Sequence, residues 1–257
     1  MQFENINNLK RILTLLKQIS NDTLYINSKN ALKGINFSAI NPERTILLDV
    51  FIPKEEKITE DNENFNFPKK FSLKTGKLFF DLVGTVENGS NINLDYEEEK
   101  LNIKIYYDDI KLKSVLNATS DEFIGFPRTE KNMVFTVSGE KMSHTLNLLS
   151  KFKNDLIVKI ENNTLIVKSK SSLGSTELLM PAKITGKKKN AYNESIYDYE
   201  IIKPLLSASK ISKNIEVMFN WNKNINENVL IAKCNFKDNN GHAKYLFTPK
   251  GVLDGIS

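Results

Sequence analysis

Two histidines, one cysteine and two runs of carboxylates are the side chains here that catalysis or metal binding would call on. His144 and His242 stand about a hundred residues apart, and neither belongs to a His-Glu-x-x-His zinc motif. Cys234 is the single cysteine, so a disulfide framework and a cysteine-built zinc site are excluded. It falls in an alternating stretch and reads as a half-buried small side chain of a strand. Glu97-Glu98-Glu99 and Asp108-Asp109 have the oxygen chemistry of cation ligands, but at hairpin turns they read as solvated loop charges. Residues 84–89, Gly-Thr-Val-Glu-Asn-Gly, lack the Lys and Ser/Thr that complete a phosphate-binding loop. No Gly-x-Ser-x-Gly elbow and no EF-hand pattern occurs. Trp221 lies in an Asn-rich turn region and reads as packing at a strand end. The expectation is a protein without catalysis, metal or cofactor.

Charge points instead to binding. The 257 residues hold 36 Lys and Arg against 31 Asp and Glu, with an isoelectric point near 9.0. The excess is uneven: residues 1–128 carry 17 basic and 19 acidic groups, and residues 129–257 carry 19 and 12. A basic half favours an anionic partner, nucleic acid above all. No apolar stretch approaches the roughly 20 residues of a membrane span. The first residues, Met1-Gln2-Phe3-Glu4-Asn5-Ile6, lack the basic and apolar regions of a secretion signal. The expectation is a soluble protein of a reducing compartment, with no membrane partner.

The elements that position these charges follow from periodicity. Leu9, Ile12, Leu13, Leu16 and Ile19 recur at helical spacing, with Lys10, Arg11, Thr14 and Lys17 opposite. A second helix is predicted over 73–83, weakened by Gly76. A third opens at Ser138-Gly139-Glu140, with Met142, Leu146, Leu149 and Phe152 on one side and Lys141, His144, Asn147 and Lys151 on the other. A fourth is predicted over 199–208, with Lys203, Ser207 and Lys210 polar. Between them the period becomes two. Strands are predicted over 23–27, 34–38 and 45–52, and hairpins over 91–106, 156–168 and 215–233. Residues 110–116 and 175–181 read as edge strands that need a partner.

The order helix, strands, helix, hairpin therefore occurs twice, at intervals of about 130 residues, as in a duplicated domain. Residues 118–133 are polar and aperiodic with Gly125 and Pro127, and read as a linker that nevertheless keeps Phe123, Ile124 and Phe126.

The segment Gly241-His242-Ala243-Lys244-Tyr245-Leu246-Phe247-Thr248-Pro249-Lys250 resembles the C-terminal strand of the proliferating cell nuclear antigen (PCNA) family of DNA sliding clamps. Residues 34–42, Gly-Ile-Asn-Phe-Ser-Ala-Ile-Asn-Pro, resemble that family's first-domain strand and loop. Glu122-Phe123-Ile124-Gly125-Phe126-Pro127 resembles the centre of its interdomain connecting loop, and Ser138-Gly139-Glu140 the start of its second domain. The resemblance spans essentially the whole chain. It implies an α+β clamp fold of two similar domains, 1–117 and 134–257, joined by a connecting loop at 118–133. Each domain would place sheets outside and two helices inside, and the copies would close as a homotrimer around duplex DNA.

The same resemblance implies the sites. Lys10, Arg11, Lys17, Lys77, Lys141, His144, Asn147, Lys151, Lys203 and Lys210 match positions that meet phosphates without reading bases. Asp81, His144 and Asn147 stand where the family usually has cations. Ile40, Arg44, Leu47, Ile124, Phe126, Pro127, Leu246 and Pro249 match the walls of a groove for the PIP-box peptides of polymerase and other replication or repair enzymes. Arg44, Leu246 and Asn228 replace a usual His, Tyr and Pro. A clamp loader is implied as a further partner, with the nucleus of a eukaryotic host, or otherwise a viral replication compartment or cytoplasm, as location. Family clamps are usually acidic. The basic composition keeps open a viral-type open factor of one or two copies, a checkpoint-clamp subunit, and a scaffold that does not encircle DNA.

Overall fold

In a computed structural model of the chain, the structure describes residues 2–3, 6–20, 22–28, 34–53, 70–87, 90–120, 126, 133–152, 155–161, 164–171, 174–181, 194–222, 227–237 and 241–250. Two compact units emerge, one of Met1–Pro42 with Leu48–Gly125 and one of Glu43–Leu47 with Phe126–Ser257.

The first unit runs β1 (Gln2–Phe3), α1 (Ile6–Lys17), β2 (Leu24–Asn27), β3 (Gly34–Ile40), β4 (Ile46–Pro53), β5 (Lys70–Leu73), α2 (Gly76–Thr85), β6 (Asn91–Glu97), β7 (Lys100–Tyr107) and β8 (Ile110–Asn117). Its strands form the orders β1-β6-β7-β8 and β5-β2-β3-β4. The apolar stripe of α1 is buried at Leu9, Ile12, Leu13 and Leu16, and α1 packs against α2. Phe37 of β3 and Phe79 of α2 stack with ring centroids 6.2 Å apart, both fully buried.

Gly76 does not weaken α2, because it is the first helical residue rather than an interior one. Its N–H donates to the Asp22 carbonyl at 2.6 Å, and a Cβ there would stand only 2.8 Å from that oxygen. The acidic runs lie at turns. Glu98 and Glu99, with φ of +49° and +59°, link the paired residues Glu97 and Lys100, and Asp108 has φ of +46° before β8.

The second unit runs β9 (Met133–Ser138), α3 (Gly139–Leu149), β10 (Leu156–Glu161), β11 (Thr164–Ser171), β12 (Gly174–Pro181), β13 (Ser195–Tyr197), α4 (Tyr199–Ile202), α5 (Pro204–Ile211), β14 (Ser212–Asn222), β15 (Glu227–Phe236) and β16 (His242–Phe247). Here the orders are β9-β14-β15-β16 and β13-β10-β11-β12. Element by element this repeats the first unit: β1-β6-β7-β8 corresponds to β9-β14-β15-β16, and β5-β2-β3-β4 to β13-β10-β11-β12.

The Ser138 hydroxyl accepts from the Lys141 N–H at 3.2 Å and caps α3. The single helix predicted over 199–208 is instead two. Pro204 has no N–H to continue α4, but its fixed φ suits the first position of α5. The short strands β1, β5 and β13 were not predicted, because two to four residues show no period. Strand β9 was not predicted either, since it runs straight from the linker into α3. Cys234 proves completely buried, and its burial pushes the thiol up to about 12.

Candidate binding faces

Helix α1 turns Arg11 and Lys17 outward, and α2 turns Lys77 and Asp81 outward. Lys17 Nζ lies 2.7 Å from Asp81 Oδ1, and this hydrogen bond is the main cause holding the Asp81 carboxyl below its ordinary value. The charge of Lys77, one turn away, adds to it. Lys10 is half-buried and donates to the Val86 carbonyl at the C-cap of α2, where a cation complements the helix dipole. Of the four candidate phosphate-binding cations of the first unit, Lys10, Arg11, Lys17 and Lys77, the first and third are thus committed to the protein itself.

In the second unit α3 packs on α5, and Lys141, His144, Asn147 and Lys151 all lie exposed at successive turns of one stripe. Lys203, at the α4–α5 junction, pairs with Glu200 at 2.7 Å. Lys141, His144, Asn147 and Lys210 line one open groove of about 1240 Å³, bounded by Leu179 and Met180 of β12. Lys213 and Lys237 join them there, and among the described residues of its lining Glu140 is the one acid. Sequence reasoning missed both lysines because they follow no helical stripe. The signal was the register of β14 with β15: Ser212 pairs with Phe236, so the residues after them share one end of the sheet. Lys151 and Lys203 lie outside this groove lining.

The expected peptide groove divides between the units. Ile40, half-buried at the end of β3, belongs to the first unit. Arg44, Leu47, Phe126, Leu246 and Pro249 belong to the second, and Ile124 and Pro127 fall outside the described residues. Arg44 is exposed with φ of +55°, a left-handed turn that starts β4. The Thr248 N–H donates to the Thr45 carbonyl at 2.9 Å, which fixes the segment after β16 against the start of β4. Lys250 then ties its N–H to the Ile196 carbonyl at 2.7 Å and its ammonium to Asp155 at 2.8 Å. Leu47 and Leu246 are only 7% and 9% exposed, so among the described second-unit residues of this set Arg44 and the half-buried Phe126 are the more open to contact. Lys244 Nζ stands 3.8 Å from the centroid of the Phe126 ring.

Among the described residues no group of three or more His, Cys, Asp and Glu could hold a metal ion, and no helix is long and apolar enough to cross a membrane. His242 is held down to about 4, first by burial and then by the charges of Lys233 and Lys244.

No family model matches the chain, and no curated protein matches it. Among solved structures it is similar to a chain of the PCNA2-PCNA3 complex from Sulfolobus tokodaii. The two share 16% identity, with a TM-score of 0.71 over 97% of this chain and 98% of that one. The fold is therefore the PCNA clamp fold, as the residues led one to expect.

Proposed function

We propose that this clamp fold works as a DNA sliding clamp, a processivity factor that surrounds duplex DNA and tethers polymerase and other replication or repair enzymes. The observation that carries the reading is a leftover pair of strand edges. At the start of β4 and the end of β16, Thr45 and Thr248 are hydrogen-bonded within the second unit. The structural repeat makes β12 the counterpart of β4 and β8 the counterpart of β16. Both β8 and β12 end their sheets, and both expose large apolar side chains: Ile110, Leu112 and Val115 on one, Leu179 on the other. Such edges associate.

A joint between β8 of one copy and β12 of the next is heterologous, and rotation about it closes a ring. Charge disfavours pairing β8 with β8, since that strand carries Lys111 and Lys113, while β12 carries Glu177, held 3.2 Å from Lys168 of its own sheet. The basic groove beside α3 and α5 supplies sequence-independent contacts for phosphate. The face around Phe126 supplies a dock for partner peptides, and a clamp loader would open the ring. Replication sets the place of action: the nucleus of a eukaryotic host, or otherwise a viral replication compartment or cytoplasm.

Light scattering tests the assembly. A mass of three copies at micromolar concentration is expected, and a monomer overturns the homotrimer. The solved neighbour is a complex of two different PCNA proteins, which favours one second reading: a ring shared with another clamp chain. That reading predicts a monomer alone and a ring only on mixing.

A further inference from the structure

In the first unit's sheet β1-β6-β7-β8, Ile92, Leu94, Leu101, Ile103 and Ile105 take the core face. Strand alternation then puts Lys104 and Tyr106 of β7 on the opposite face, together with Lys111 and Lys113 of β8. Lys104 is directly opposite Lys113, and Tyr106 directly opposite Lys111, whose Nζ lies 5.2 Å from the centroid of the Tyr106 ring. Tyr106 and Val115, which follows Lys113 on this face, are 36% and 56% exposed. Like charges in direct opposition weaken a strand pair, and among the described residues no ion pair relieves these lysines. The acids nearby stand at the borders of the patch. Asp95 of β6 is diagonal to Lys104, and Asp108 and Asp109 lie in the turn between β7 and β8.

We infer that this face is a second nucleic-acid site, which binds single-stranded DNA by stacking a base on Tyr106 and meeting phosphates with Lys104, Lys111 and Lys113. It is separate from the groove beside α3 and α5, which belongs to the second unit. The lysines alone suit any polyanion. Tyr106 decides between occupants, because every base has a flat face to lay on a ring and a carboxylate chain has none. A duplex keeps its bases stacked on one another, so an open strand fits better. An exposed cation–π contact is weaker than a base stacked on the same ring. The base therefore takes the ring, and the Lys111 ammonium turns to the adjoining phosphate. Edge pairing by β8 uses its backbone groups and leaves this face open. The choice of DNA over RNA rests on the clamp reading above, since a clamp on duplex meets single-stranded DNA where the duplex ends.

Fluorescence anisotropy with a labelled oligothymidylate of about 12 nucleotides tests this. Tyr106→Ala should weaken its binding at least about fivefold and leave duplex affinity unchanged. Lys104→Gln and Lys113→Gln should each flatten the salt slope for the single strand by about 0.7. Unchanged oligothymidylate affinity in Tyr106→Ala overturns the inference, and so does an equal loss for duplex. Polyglutamate that competes as well as the oligothymidylate overturns it in favour of an acidic protein partner. Tighter binding of oligouridylate overturns the assignment to DNA. Should Tyr106→Ala fail to fold, photocross-linking of a thiothymidine-substituted oligonucleotide to the parent decides. Adducts on Tyr106 support the site, and adducts confined to other residues overturn it. If the parent binds the oligothymidylate through Tyr106 but binds no duplex, the clamp reading falls and this site stands.

Discussion

Lys17 on α1 and Asp81 on α2 are joined at 2.7 Å, so an acidic side chain occupies the cation of one helix on the face proposed to meet DNA. Both partners are about half exposed, a setting in which an ion pair adds little to stability. Its larger effect is on charge. Asp81→Asn should therefore leave folding unchanged and strengthen binding to any duplex. The plot of log affinity against log salt should steepen by about one unit, the signature of one more phosphate contact. Arg11→Ala should weaken binding more than Lys17→Ala. Filter binding or fluorescence anisotropy across a salt series checks all three, and unchanged affinity in Asp81→Asn would place duplex contacts elsewhere.

The second unit should carry the larger share of affinity. Lys141, Lys210, Lys213 and Lys237 line one groove with a single acid among its described residues, whereas Lys10 is spent on the Val86 carbonyl. Replacing these four lysines by Ala should weaken binding equally for duplexes of different sequence. The salt slope should flatten by about 0.9 for each cation that meets a phosphate. The corresponding triple replacement of Lys10, Arg11 and Lys17 should cost less. Discrimination between duplexes beyond about tenfold would contradict a contact made to phosphates alone.

Much of the fold was legible in the residues, and the physical reasons differ by element. The stripe of α1 and the Ser138 cap of α3 announced themselves because helical period and capping are local. The duplication was visible as one order of helices, strands and hairpins recurring at one spacing, but the full strand correspondence was not, since β1, β5 and β13 are too short for a period. Pro204 divided a stretch whose apolar spacing runs on unbroken. At the candidate sites the cations of α3 could be read from spacing, while Lys213 and Lys237 come together only through the β14–β15 register. Nothing local indicates that Lys10 caps α2 or that Lys244 covers Phe126, because those contacts span 76 and about 118 residues of chain.

Glu98 and Glu99 form a two-residue turn in which both have positive φ. That conformation suits Asn-Gly and strains residues with longer side chains. Two adjacent carboxylates also repel each other. Glu98→Asn with Glu99→Gly should raise stability by about 0.5–1 kcal/mol, without effect on assembly. Urea unfolding at neutral pH measures it. A loss of stability would mean that the Glu98 and Glu99 side chains stabilise the turn by more than their positive φ and mutual repulsion cost.

His242 predicts a pH dependence. Between about 4 and the ordinary 6.5 the unfolded chain holds a proton on this imidazole that the folded chain excludes. The neutral ring's contribution is therefore complete above 6.5 and is lost as pH falls toward 4. Melting temperature should decline across that window in the parent, and the decline should be smaller in His242→Gln. Superimposable profiles for the two proteins would show that the ring titrates normally in the fold.

The joint between copies is the most discriminating target, because the repeat predicts which edges meet. Leu112 on β8 and Leu179 on β12 are exposed by 45% and 61%, so Asp at either place should leave the single chain folded. In an assembly each would bury an unpaired carboxylate at the joint, a large cost against association. Leu112→Asp alone spoils every β8 edge, and Leu179→Asp alone spoils every β12 edge, so each variant should be monomeric by light scattering. Mixed together, they retain one sound β12 and one sound β8 between them. A heterologous joint then yields a dimer that cannot grow, since its outer edges are both spoiled. If like edges paired instead, one of the two variants would still associate by itself, and mixing would create nothing new. A dimer found only in the mixture therefore identifies the β8–β12 joint, and a self-associating single variant rejects it.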